Sequence, residues 1–229
     1  MTELFRFGFP SYRKNSVFRD KVEIVLDRSG AVIGATNSDM LVNLTIPACA
    51  EELALTEIAD RAFMGLMNLK TATVEKGVEE IGNEAFKDCS TLLAVTIPDT
   101  VYRIGASAFE NCSSLRAFDI PLGVEILGSR AFCGCSSLMS VLIPDSVRAI
   151  GAMAFASAKS LRSAKLPCSL EEIPDGLFMD SGIERIEIPS FVRRIGSAAF
   201  SRARNLREIY FSGTLEEFRR ISFGLHWNN

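Results

Sequence analysis

Apolar positions along this chain return at a fixed interval much longer than a helical turn. Phe63, Phe86, Phe109, Phe132, Phe155 and Phe178 lie 23 residues apart, and Phe200 follows after 22. Other positions keep the same step. Ala72/Val74, Val95/Ile97, Phe118/Ile120, Val141/Ile143, Ala164/Leu166, Ile186/Ile188 and Ile209/Phe211 are apolar residues two apart. That spacing is the period of a strand with one buried face. Pro98, Pro121, Pro144, Pro167 and Pro189 close the strands, where a missing N–H costs least. A second set of apolar pairs, three apart, comes next: Val78/Ile81, Val101/Ile104, Val124/Leu127, Val147/Ile150, Leu170/Ile173 and Val192/Ile195. Gly82, Gly105, Gly128, Gly151 and Gly196 follow and predict a tight entry into a short helical turn carrying Ala-Phe.

Each copy aims more apolar groups inward than it could bury alone, so neighbouring copies must stack. A short strand in each 23-residue copy predicts a leucine-rich-repeat solenoid of the α/β repeat class. It would have one parallel sheet on the concave face and short helical turns on the convex face. Residues 41–211 form the expected array, its first strand at 44–46 and five extra residues ahead of the turn at 58–63. Residues 1–40 form an N-terminal segment, polar and irregular at 11–21. A hairpin is predicted there, pairing 22–26 with 31–33 across Asp27–Gly30. Residues 212–229 form a C-terminal capping helix and tail. Thr214 and Glu217 have the spacing of a capping box, and Leu215, Phe218 and Ile221 are expected to share one face. Caps at both ends keep core side chains and strand edges out of water.

The recurring string Ile-Gly-x-x-Ala-Phe-x-x-Cys-x-x-Leu-x-x-Val-x-Ile-Pro-x-x-Val resembles the BspA-type, or treponemal-type, leucine-rich repeats. The likeness covers residues 44–211, and the tail from Tyr210 through Gly213 and Glu217 to Trp227 is similar to the family's terminal segment. The resemblance implies a bacterial or protist surface protein that binds host or partner proteins. Two features depart from the pattern. No export signal is visible, and Ile173-Pro174 replaces Ile-Gly, which is expected to perturb only one turn.

Charge narrows the partners. With 25 basic and 28 acidic residues the net charge is -3, which disfavours nucleic acid and anionic membrane surfaces. No apolar run reaches the length of a membrane span. The first ten residues are interrupted by Glu3 and Arg6 and lack the apolar core of a signal peptide. As the sequence stands the expected location is cytoplasmic, whereas the resemblance implies a secreted or surface protein. The chain is expected to be a monomer without cofactors.

Catalytic chemistry has little to stand on. His226, the sole histidine, sits in the tail without a nucleophile or an orienting carboxylate in its motif. No phosphate loop, zinc-helix motif or nucleophile elbow is present. Glu51/Glu52, Glu79/Glu80 and Glu171/Glu172 are adjacent acids in loops, the pattern of a solvated surface. Among the six cysteines, Cys89, Cys112 and Cys135 share one repeat position with Leu66, Ala158, Ser181 and Ala203. Stacked thiols could form a disulfide or a three-thiolate metal site. The apolar and small residues in the same series favour plain core packing. Cys133 and Cys135 are a second thiol pair, while Cys49 and Cys168 have no evident partner. A non-enzymatic protein is expected.

Binding must then come from a surface. Residues alternating with the buried strand pairs line the outer face of the sheet: Asn43/Thr45, Thr71/Thr73, Ala94/Thr96, Ala117/Asp119, Ser140/Leu142, Ser163/Lys165, Arg185/Glu187 and Glu208/Tyr210. The first half is small and neutral, the second charged with one aromatic. Asp119, Leu142, Lys165, Arg185, Glu187, Glu208 and Tyr210 are therefore the candidate contacts for a protein partner, since Arg and Tyr are favoured interface anchors. The alternative is a spacer that sets length and rigidity and has no ligand of its own.

Overall fold

The computed structural model describes residues 5–8, 23–27, 29–36, 38–50 and 53–228. The chain coils once per repeat, and the predicted strands hydrogen-bond in parallel to their equivalents one repeat away. Asn43–Ile46, Thr71–Val74 and Ala94–Thr96 form one block, and Ser140–Leu142, Ser163–Lys165, Arg185–Ile188 and Glu208–Phe211 another. Register is direct: Thr71 faces Ala94, and Arg185 faces Glu208. The inward members of the pairs are buried where a further strand covers them, except Ala164, whose small side chain is partly buried. Ile209, on the last strand, remains 37% exposed.

The structure adds a second parallel ladder to the expected sheet. Glu57–Ile58, Glu80–Ile81, Arg103–Ile104, Ile126–Leu127 and Ala149–Ile150 stack in register, and Glu172–Ile173, Arg194–Ile195 and Ser222–Phe223 continue the series. The apolar pairs three apart belong to this ladder. Their second members (Ile81, Ile104, Leu127) point inward from strands only two residues long, too short for alternation to be legible.

The expected helical turns are stacked non-helical turns. Two positions per repeat take a left-handed backbone, for example Glu84 and Asp88, then Ser107 and Asn111. A left-handed residue every fourth position prevents α-helix. The amides between them divide their bonds. Those of Glu84, Phe86 and Asp88 donate to Ala106, Ala108 and Glu110 of the next coil, and that of Lys87 closes back on Glu84. All three sides of the coil are thereby bonded to the next.

Phenylalanine fills the centre. Phe63, Phe86, Phe109, Phe132, Phe155, Phe178 and Phe200 are buried, and consecutive rings stack with centroids 5.3, 5.3, 5.3, 5.5, 6.0 and 5.8 Å apart. The widest step, Phe155 to Phe178, crosses the junction where the second ladder is interrupted. Gly151 and Gly196 donate their amides to Leu127 and Ile173 there, whereas Pro174 has no amide for Ile150. The effect of Pro174 thus extends beyond one turn: the ladder divides, and a groove of about 640 Å³ opens between Arg148–Ile150 and Ser169–Pro174. The first sheet divides elsewhere, at residues 117–120. Phe118 occupies the position of Val95 and Val141, its ring 5.0 Å from Phe109 and 4.7 Å from Phe132. A ring there needs more depth than valine, and the backbone gives up its ladder bonds. Each sheet remains continuous where the other divides.

The ends match the predicted caps in part. Glu23–Leu26 and Val32–Ala35 form the hairpin, whose second strand joins the second ladder beside Ile58. Phe5–Gly8 adds a third, unanticipated antiparallel strand, while the stretch 11–21, expected to be irregular, lies outside the described residues. The extra residues of the first repeat form the small hairpin Cys49–Ala50 with Leu53–Ala54. At the other end, the helix Leu215–Arg219 carries the expected capping box. The Glu217 amide donates to the Thr214 hydroxyl, and the Thr214 amide to the Glu217 carboxylate. Phe218 packs on Phe211 and Phe223, and Ile221 is buried. Leu215 departs from the expected shared face and is 64% exposed: it is the first helical residue, and the helix ends at Arg219, before Ile221.

Among the described residues, one buried side-chain polar atom lacks a partner. Ser181 takes the cysteine position of its repeat, and its Oγ makes no hydrogen bond. The sulfurs of Cys89, Cys112 and Cys135 donate to the carbonyls of Phe63, Phe86 and Phe109 at 3.1, 3.1 and 3.2 Å. Ser181→Cys should restore this bond toward Phe155 and raise stability by about 1 kcal/mol in urea melts. A loss of stability would mean that the site is too tight for sulfur.

Candidate functional site

The outer face of the first sheet forms as expected, with Asp119, Leu142, Lys165, Arg185, Glu187, Glu208 and Tyr210 all exposed. Parallel pairing brings together those one repeat apart: Leu142 beside Lys165, Arg185 beside Glu208, and Glu187 beside Tyr210. The C-terminal part is tied up internally. Arg185 lies 3.4 Å from the Glu208 carboxylate, the Tyr210 hydroxyl donates to that carboxylate at 2.9 Å, and Ser212 donates to Glu187 at 2.6 Å. Hydrogen bonding to Glu208 raises the Tyr210 phenol above its ordinary pKa. Arg162 and Glu184 add a further ion pair at 3.3 Å.

The centre of the face is different. Leu142 is 57% exposed, and Asp119 and Lys165 make no side-chain hydrogen bond or ion pair among the described residues. Beside them runs a line of side chains that strict alternation misses, Leu93, Arg116, Met139 and Arg162. Each follows a buried leucine at the bend into its strand and turns outward. The Met139 amide donates to Arg116 at 3.2 Å and the Arg162 amide to Met139 at 2.8 Å, so these side chains are neighbours. Met139 is 55% exposed. A signal for this line existed, since the same repeat position holds Lys70, Arg116, Arg162 and Arg207, residue types that seldom turn inward.

The outer face of the second ladder is mostly self-satisfied. Tyr102 and Arg103 both bond Glu80, and Arg194 bonds Glu172 and Asp175. On the turn side, Lys87 and Arg130 pair with Glu110, a buried carboxylate missed in the sequence. Burial would raise its pKa, but Arg130, with Ser107 and Lys87, outweighs that and holds the group below its ordinary value. This cluster fastens one coil to the next.

The cysteine series packs as core. Cys89, Cys112, Cys133 and Cys135 are buried, Cys49 and Cys168 exposed, and none is in a disulfide. Among the described residues no group of three or more His, Cys, Asp or Glu side chains could hold a metal ion. Desolvation pushes Cys89 up to about 11, and Cys112 and Cys135 well above the ordinary thiol range. Native thiol titration should leave these three unreactive, with all six thiols counted after denaturation; fewer than six would contradict this. A raised pKa favours the folded protein below the unfolded value of 9.0, and that contribution fades as pH climbs toward 11. Stability should therefore fall across this window by up to ~1.4 kcal/mol per pH unit for each buried thiol. Cys112→Ala should shallow the slope, and an unchanged slope would refute the assignment.

Comparison with known proteins agrees with this architecture. The family model for the BspA type leucine-rich repeat region matches residues 56–179 and 125–226, in six copies. No curated protein matches the chain. A solved leucine-rich repeat protein of T. pallidum is similar at 26% identity and a TM-score of 0.66, over 87% of this chain and 78% of that one. One from Bacteroides ovatus is similar at 27% identity and a TM-score of 0.73, over 92% of this chain. This chain spans about half the length of that protein, 52%. A third, from Eubacterium ventriosum, shares the fold at 17% identity and a TM-score of 0.57, over 93% of this chain and 73% of that one. Leucine-rich repeats generally serve as protein-interaction modules and are typically non-enzymatic. With its repeats, stacked coils and phenylalanine column in register across the matched residues, this chain belongs to the BspA-type leucine-rich repeat family.

Proposed function

We propose that the chain is a non-enzymatic protein-binding module that engages its partner through the outer face of the first sheet. The observation that carries this reading is the contrast between faces. The first sheet presents Leu142 and Met139 to solvent with unpaired charged groups beside them, whereas the outer groups of the second ladder largely satisfy one another. Exposed apolar side chains rimmed by polar ones mark interaction surfaces. Asp119, Leu142 and Lys165 form the contact centre, and Arg185, Glu187, Glu208 and Tyr210 the flank. The partner is a protein rather than nucleic acid or a membrane, and the module acts as a monomer, with adhesion or surface interaction as the family-level setting.

A spacer role is the second reading, favoured by the internal pairing of Arg185 with Glu208 and of Tyr210 with Glu208. Affinity capture from lysate of the source organism and from host extracellular protein separates the two. The binding module should retain a saturable partner that is lost in Leu142→Asp or in Arg185→Ala/Tyr210→Ala. A partner that survives both changes would refute the sheet-face reading, and absence of any saturable partner would support the spacer.

A further inference from the structure

The face just described is not uniform in charge, and its unevenness bears on what it binds. Met139 lies between Arg116 and Arg162, bonded to both through the backbone. Leu142 lies directly beside Lys165 in the sheet, with Asp119 one repeat away on its other side. The two exposed apolar side chains are thus flanked by the cations Arg116, Arg162 and Lys165 and by the acids Asp119 and Glu184. Arg162 has Glu184 as a partner at 3.3 Å. Arg116 and Lys165 have no ion-pair partner among the described residues, although Asp145 feels the charge of Lys165. Toward the C-terminus the same face neutralises itself, Arg185 against Glu208. Beside the apolar centre, the cations of this face that lack an ion pair among the described residues are therefore Arg116 and Lys165, against the single unpaired acid Asp119 of the same face.

Building on the proposed function, we infer that this centre takes an acidic protein segment carrying an apolar side chain. The apolar group covers Met139 and Leu142, and its flanking carboxylates meet Arg116 and Lys165. A partner that buried these cations without supplying counter-charge would meet the cost of desolvating them unpaired. Carboxylates on both sides remove that cost and fix the orientation. Asp119 leaves room for one donor at the edge. The exposed leucine and methionine favour this partner over a nucleic acid, whose affinity would rest on phosphate contacts alone.

Selection of a phage-displayed library of random peptides on the full chain tests this directly. Enriched peptides should be rich in Asp and Glu around a large apolar residue and should be lost on Leu142→Asp. Their affinity should drop about tenfold or more on Arg116→Glu/Lys165→Glu, and should weaken with added salt. Selection on that charge-reversed variant should yield basic peptides. Enriched peptides that need Leu142 but show no acidic bias would overturn the inference and leave the binding face standing. Peptides lost on Arg185→Ala/Tyr210→Ala but not on Leu142→Asp would overturn the central placement. Displacement of selected peptides by single-stranded oligonucleotide would overturn the partner class, and peptides indifferent to every one of these changes would overturn both readings. Thermal melts of the variants, all at exposed positions, should match the parent.

Discussion

Truncating Phe109 to alanine is expected to cost about 3–5 kcal/mol, the range for a fully buried aromatic ring. Phe109 is completely buried, and its ring stacks on Phe86 and Phe132 with centroids 5.3 Å away on both sides. Phe118 closes a third side at 5.0 Å. Little nearby can collapse into the space, because each neighbouring coil is held by its own bonds. The amides of Phe86 and Phe109 donate to Ala108 and Ala131 at 2.8 Å. The cavity therefore persists, and its cost adds to the lost transfer energy of the ring. A stacked array couples nearest neighbours, so the loss should also loosen the two adjacent repeats. Urea melts read this directly, and a loss below about 1 kcal/mol would place the ring outside the core.

Gly128→Ala is expected to be comparably severe, about 3 kcal/mol or more, for a steric reason. A Cβ at this position would lie 2.4 Å from the amide nitrogen of Ala106 and 2.4 Å from the carbonyl carbon of Gly105. Both are backbone atoms of the preceding coil, so no side chain can swing aside. The coils are held at that separation by bonds from Gly128 to Ile104 and from Gly151 to Leu127, each 2.8 Å. Gly65 provides the control. Its φ is +74°, but a Cβ there would have nothing within 4 Å. Gly65→Ala should therefore cost only the strain of the left-handed backbone, about 1–2 kcal/mol. Equal losses in the two variants would contradict the account of the repeat glycines as spacers between coils.

These glycines also mark where sequence reading reached and where it stopped. Their recurrence after Ile81, Ile104 and Leu127 located the turn correctly, but suggested conformational freedom where close chain-to-chain approach is what excludes a side chain. The first sheet was legible because apolar pairs two apart repeat with a proline after them. The second ladder was hidden in strands of two residues, in which one inward side chain gives no alternation. The turns looked helical from Ala-Phe spacing. Left-handed residues such as Glu84, Ser107 and Met153 gave no warning, since Asn, Asp and Gly are the types usually found there.

At the candidate site, exposure of all seven named residues followed from register alone. Partner choice within the face did not. Arg185 and Tyr210 were attractive as anchors by residue type, yet both bond Glu208, Arg185 from the neighbouring repeat and Tyr210 from the same strand. Met139 and Arg116 were overlooked because they precede the strand, where the chain bends and alternation does not hold. The internal ladder of Glu80, Tyr102 and Arg103 shows how direct stacking turns residues 22 or 23 apart into contacts.

The claim that binding belongs to the first sheet is tested most directly by site-specific photocrosslinking. A benzophenone amino acid placed at Leu142 samples the outer face of the first sheet, and one placed at Ile126 samples that of the second ladder; both side chains are exposed. With a partner retained by the parent chain, the account predicts covalent adducts from position 142, competed by unlabelled chain, and none from position 126. Adducts from position 126 alone, or equally from both, would contradict it.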